Sequence, residues 1–199
     1  MPPMPLQRHV PNALSIARLA ATPALAVCAL LGAETAFTWI LVPALITDVL
    51  DGFVARRFGL ESEVGARLDS LADGLLFFSA AMGVWIFHRE VITSHAPACV
   101  LMIGAWALES LVALLRYGRL SSFHTCASKA AGYLMALFIG TLFAWRFIPA
   151  LFYLAVALSV TANAEELVLI WRLPGWGSNV RGLYWLHRRQ PASRESSAS

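Results

Sequence analysis

Six apolar runs recur along the chain, near 13–32, 35–54, 70–88, 96–115, 130–148 and 149–170. Each is close to the roughly 20 residues that an α-helix needs to cross a hydrocarbon core of about 30 Å. Nothing else in the sequence restricts the fold as strongly, because a segment in lipid must satisfy its own backbone hydrogen bonds, and a helix does so internally. The balance of 58% hydrophobic against 14% charged residues, with a mean hydropathy of +0.65, would be hard to keep in solution as a 199-residue soluble domain. The expectation is an all-α integral membrane protein with six transmembrane helices over residues 1–172. Residues 173–199, ending "RRQPASRESSAS", read as a tail that becomes disordered.

Basic residues set the orientation. Arg8, Arg18, Arg56, Arg57, Arg67, Arg116, Arg119, Lys129, Arg172, Arg181, Arg188, Arg189 and Arg194 fall on one side of the zigzag, and Arg89 and Arg146 on the other. The positive-inside rule therefore places both termini and the 48–73 stretch in the cytoplasm. Trp39, Trp85, Trp145, Trp171 and Trp176 lie near span ends as an aromatic belt does, while Trp106 falls mid-helix. The net charge of +3 thus speaks of topology and not of nucleic acid. The first run carries Arg18 and no small-residue cleavage site, so it reads as a retained helix and not as a secretory signal. Cys28, Cys99 and Cys126 have neither metal-ligand nor redox spacing and read as packing residues.

Against this apolar background, "DVLDGFVARRFGLESEVGARLDSLAD" at 48–73 carries four aspartates. Asp48 and Asp51 are three apart near the end of the second helix, and Asp69 and Asp73 four apart at the start of the third, so each pair shares a helix face. The short polar segment 57–64 turns the chain between them, and two antiparallel neighbours would bring four carboxylates together. Unpaired, such a cluster would repel itself at low dielectric. Bound cations remove that problem, and hard oxygen ligands without His or Cys favour Mg²⁺ or Mn²⁺ over zinc. Gly52, Ala55 and Gly65 would give a flat ligand access to the backbone, and Arg56 could hold a phosphate by paired donors. The plainer account of any single intramembrane aspartate is a buried pair with arginine.

Eight positions, Asp48, Asp51, Gly52, Ala55, Arg56, Gly65, Asp69 and Asp73, match D-x2-D-G-x2-A-R-x8-G-x3-D-x3-D without a gap. This resembles the signature of the CDP-alcohol phosphotransferase family. "PNALSIARL" adds a shorter similarity through Asn12 and Arg18, although Asn12 could simply cap the first helix. The resemblance implies a six-helix membrane fold and transfer of a substituted phosphate from a CDP-linked lipid, CDP-diacylglycerol, to an alcohol with release of CMP. It further implies two metal ions held principally by Asp48, Asp51 and Asp69. Asp73 would be the general base, with a share in the metal. The CDP site would be lined by Gly52, Ala55, Arg56 and Gly65, with Asn12 and Arg18 as helpers. Placement in a bacterial inner membrane with the site on the cytoplasmic side, and pairing as a homodimer, are implications of the same kind.

The acceptor alcohol is marked less clearly. Arg116, Arg119 and Lys129, the last being the only lysine, border the connection before the fifth helix and would suit an anionic acceptor such as glycerol 3-phosphate. Their competing role is to fix topology. Inositol phosphate, serine and phosphatidylglycerol are the other acceptors to weigh. His124 reads as interfacial, and Glu109, Glu165 and Glu166 as polar packing partners. A divalent-cation transporter would continue its acidic path to the far face, where only Glu34 and Glu90 occur. An aspartate-rich prenyltransferase would share the metal–diphosphate chemistry with a different aspartate spacing and a longer chain.

Overall fold

The computed structural model describes residues 5–58, 63–118 and 125–172, with side chains over 16–49, 71–118 and 125–172. It is all-helical over these residues: α1 (Pro5–Leu30), α2 (Glu34–Phe58), α3 (Glu63–Phe87), α4 (Arg89–Ser94), α5 (Ala96–Tyr117), α6 (Cys126–Ala144) and α7 (Pro149–Arg172). Each of the six expected runs falls on a long helix. The short α4 was not expected, since six residues beginning Arg-Glu carry no apolar run. Helix ends also differ from the apolar runs. α1, α2 and α3 extend into polar sequence on the side where 48–73 lies, because a helix continues past its apolar stretch wherever propensity allows. In contrast, α6 stops at Ala144, four residues short of the expected end, and the chain enters α7 on Pro149, a residue suited to the first helical position.

The helix ends have identifiable causes. After α1, Ala33 N–H donates to the Cys28 carbonyl at 2.9 Å and Gly32 N–H to that of Ala29 at 3.2 Å. This is a Schellman closure, and Gly32 supplies its left-handed residue at φ 67°. Gly118 closes α5 in the same region at φ 66°, its N–H donating to the Leu114 carbonyl at 2.8 Å. Thr125 caps α6 by accepting from Ser128 N–H at 3.1 Å.

The chain divides into two compact units, Met1–Ser94 with Ile139–Phe147, and His95–Phe138 with Ile148–Ser199. In the first, α1, α2 and α3 pack together. α1 buries Arg18, Thr22, Leu25 and Ala29, spaced four, three and four apart as one helix face requires. α2 contributes Phe37, Leu41, Ala44 and Leu45, and α3 contributes Ala72, Leu76, Ser79 and Ala80. Aromatic rings close one end of this seam. Phe37 is fully buried, with its centroid 5.4 Å from Phe87 and 5.2 Å from Phe143, and His88 stands edge-on to Phe143 at 4.8 Å. Gly83 makes room for that arrangement: a Cβ there would overlap the edge of the Phe37 ring and lie 3.2 Å from Phe143 Cζ. At the same end, Glu34 Oε1 is 3.4 Å from His88 Nε2.

In the second unit α5 and α7 run parallel. Their first residues meet where His95 Nδ1 and Tyr153 Oη lie 2.9 Å apart, and their last where the Tyr117 hydroxyl donates to the Ile170 carbonyl at 3.0 Å. Ala113 and Ile170 are buried between them. α5, α6 and α7 are long and apolar enough to cross a membrane, and Ile16–Leu30 and Leu71–Phe87 are shorter apolar helical stretches. At about 1.5 Å per residue, the 22 residues of α5 span about 33 Å. Much of the apolar surface of α5, including Leu101, Trp106, Leu111 and Leu115, is exposed, as a lipid-facing helix requires.

Candidate active site

Three helices deliver charged side chains to one place in the first unit. Arg18 continues the buried face of α1 one turn before Thr22. Asp48 continues the face of α2 that carries Leu41 and Leu45, and Asp73 opens the face of α3 that continues to Leu76 and Ala80. The seam therefore has an aromatic end at the Gly32 turn and an ionic end opposite it. At the ionic end, Arg18 Nη1 donates to Asp48 Oδ1 and, at 2.5 Å, to Asp73 Oδ1. Arg18 is 2% exposed, while the side chains of Asp48 and Asp73 are 27% and 46% exposed. Charge-assisted hydrogen bonds of this kind are stronger than neutral ones, and burial strengthens them further.

Two of the four aspartates are thus brought together from separate helices. Asp51 lies on α2 one turn beyond Asp48, and Asp69 on α3 one turn before Asp73; their side chains fall outside the described residues, as do those of Asn12, Gly52, Ala55, Arg56 and Gly65. Among the described residues no three His, Cys, Asp or Glu side chains converge. The pair that is described fits a hard divalent ion in its chemistry: two carboxylate oxygens on facing helices, without sulfur or imidazole, already hold a cationic nitrogen between them.

Arg116 is exposed in the last turn of α5, its guanidinium 5.8 Å from the Tyr117 ring. Lys129 is exposed in the first turn of α6. Arg119, His124 and the 173–199 tail lie outside the described residues. Glu109 and Glu166 are buried, at 4% and 9% exposure, on the packed helices α5 and α7 of the second unit. The three cysteines are free thiols: Cys28 and Cys99 are half-buried, and Cys126 is exposed.

The sequence reading gave Arg18 as a helper at the nucleotide site and did not name Asp48 and Asp73 as its partners. A general signal was present, since a cation inside an apolar run needs an anionic partner, but it did not say which carboxylates would meet Arg18.

A family model for CDP-alcohol phosphatidyltransferases matches residues 8–171, a span that holds all eight motif positions. The chain belongs to the CDP-alcohol phosphatidyltransferase family. With three helices able to cross a bilayer, this membership makes the protein an integral membrane protein of a transferase family. It is 31% identical over 151 residues to a CDP-diacylglycerol–glycerol-3-phosphate 3-phosphatidyltransferase of Cereibacter sphaeroides, covering 66% of this chain and 64% of that protein. A protein of the same name, numbered 2, from Arabidopsis thaliana is 43% identical over 70 residues, covering 34% of this chain and 30% of its own. The cardiolipin synthase (CMP-forming) of Streptomyces coelicolor is 35% identical over 116 residues, covering 55% and 53%. In each case the matched stretch spans less than two thirds of the relative. No solved structure gives a significant match.

Proposed function

We propose that this phosphatidyltransferase makes phospholipid by transferring the phosphatidyl group of CDP-diacylglycerol to the hydroxyl of glycerol 3-phosphate, releasing CMP. The observation that carries the reading is the meeting of Asp48 and Asp73 from α2 and α3, within a complete eight-position motif. In the reaction a bond forms between the acceptor oxygen and the β-phosphorus, counted from the nucleoside, and that phosphorus loses its bond to the oxygen that leaves with CMP. Asp48, Asp51 and Asp69 would hold two Mg²⁺ or Mn²⁺ ions, with Asp73 taking a share. Bound there, the ions supply charge neutralisation for the diphosphate and for the leaving CMP. Asp73 takes the acceptor's hydroxyl proton, a role supported by its being the more exposed of the two described carboxylates. Gly52, Ala55 and Gly65 admit the nucleotide to the backbone, Arg56 pairs with phosphate, and Asn12 and Arg18 assist from α1.

Glycerol 3-phosphate is preferred for two reasons. Arg116 and Lys129 are exposed cations at the helix ends joined by residues 118–125, which include Arg119, and would take an anionic acceptor. The Cereibacter sphaeroides and Arabidopsis thaliana relatives also carry this acceptor in their names. Phosphatidylglycerol is the second reading, favoured by the likeness to cardiolipin synthases. The proposed setting is six spans, both termini and the aspartates on the cytoplasmic side of a bacterial inner membrane, residues 1–172 as the catalytic domain, and a homodimer. Arg89 lies over the Trp85 ring at 5.2 Å and Arg146 over Trp145 at 4.4 Å, which supports an opposite rim of cation–aromatic pairs at the interface. To test the acceptor, purified protein is given labelled CDP-diacylglycerol with one alcohol at a time, and the lipid product is identified. A phosphatidylglycerophosphate product supports the reading; cardiolipin from phosphatidylglycerol alone moves the assignment to the second.

A further inference from the structure

Arg18 carries a charge that no protein environment removes. It is 2% exposed, while Asp48 and Asp73, which it contacts, keep open surface. The same nitrogen, Nη1, serves Oδ1 of Asp48 and Oδ1 of Asp73, which come from different helices. Here one nitrogen stands between oxygens of two carboxylates, as a point cation would. Without a cation there, two partly buried like charges would face each other across the α2–α3 seam, an arrangement that burial makes costly.

We propose that Arg18 is a resident stand-in cation: it holds Asp48 and Asp73 together in the metal-free protein and competes with the divalent ion for their oxygens, so that metal loading displaces it. The inference rests on the proposed role of these aspartates as metal ligands. Oxygen lone pairs turned toward Nη1 are not turned toward a metal, and a guanidinium and a divalent ion repel one another at contact. Metal affinity is therefore the outcome of a contest, lower than the carboxylates alone would give. The metal-free protein in turn keeps its helices in register, because the charge balance of the seam does not wait for an ion. The exposed surface of Asp48 and Asp73 is the side open to an arriving ion, and Arg18 holds the buried side.

The test uses the full chain in detergent micelles, stripped with chelator and titrated with Mn²⁺ while the free ion is followed by its paramagnetic resonance. Arg18→Gln should bind Mn²⁺ about tenfold tighter or more than the parent, since it removes a competing cation at contact range. Its thermal midpoint in chelator should fall well below the parent's and be restored by Mn²⁺. Arg18→Lys, which keeps a charge on a shorter reach, should lie between the two. Equal or weaker Mn²⁺ binding by Arg18→Gln overturns the inference while leaving the metal reading intact. So does a variant that stays unfolded at saturating Mn²⁺, because the ion then cannot replace the guanidinium. Failure of the parent itself to bind Mn²⁺ overturns the metal reading, and the inference with it.

Discussion

Gly83→Ala sets two effects of opposite sign against each other. In a helix interior alanine is favoured over glycine by roughly 0.5–1 kcal/mol. At Gly83, however, the new Cβ would overlap Cζ and Cε1 of Phe37 and come within 3.2 Å of Phe143 Cζ. Phe37 has no room to swing away, being fully buried with Phe87 and Phe143 packed on it at 5.4 and 5.2 Å. Overpacking a tight site costs about 1–3 kcal/mol, so subtracting the propensity gain leaves a net loss of about 0–2.5 kcal/mol, in the upper half of that range because the overlap is with a ring that cannot move. Gly104→Ala on α5 is the control, because a Cβ there meets nothing within 4 Å. That variant should be neutral or gain up to about 1 kcal/mol. The assay is reversible unfolding in mixed detergent micelles, comparing midpoints of both variants with the parent. Adding Phe37→Leu to Gly83→Ala should recover part of the loss, as expected of two positions that share one space. A Gly83→Ala protein as stable as the Gly104→Ala control would refute the argument that Phe37 is wedged against α3.

The roles proposed for Asp48 and Asp73 predict different outcomes on substitution. Asp48→Asn should weaken Mn²⁺ and donor binding together, with turnover falling alongside. Asp73→Asn should leave donor binding largely in place while single-turnover transfer drops by about 10²–10⁴; donor affinity lost as completely as in Asp48→Asn would make Asp73 chiefly a ligand. Neutral substitution of Arg116 and Lys129 to Gln should raise the acceptor KM several-fold with little effect on donor binding. Unchanged KM in correctly inserted protein would return both residues to a purely topological role.

The helices were legible because apolar run length is a physical requirement of the bilayer, and each run found its helix. Their ends were less so. α1, α2 and α3 run on into polar sequence, where nothing apolar marks the boundary, and α4 is too short to show a period. The start of α6 did carry a local signal, Thr125 followed three residues later by Ser128, whose N–H it accepts. Asp48 and Asp73 were recognisable as neighbours from their spacing alone, since antiparallel helices joined by a short turn bring such positions together. The grip of Arg18 on both was not, because which carboxylate an arginine meets depends on how α1 packs on α2 and α3, a non-local fact. For the same reason the Glu34–His88 pair and the buried positions of Glu109 and Glu166 emerge only from the packed helices.

The central claim is metal-dependent phosphatidyl transfer at the aspartate cluster, and CMP release tests it most directly. Purified protein in detergent micelles, given CDP-diacylglycerol labelled in the cytidine and glycerol 3-phosphate, should release labelled CMP when Mg²⁺ or Mn²⁺ is present. Release should stop on chelation and resume when the ion is restored. CMP release that continues undiminished in chelator, or none with any alcohol at saturating metal, would contradict the account.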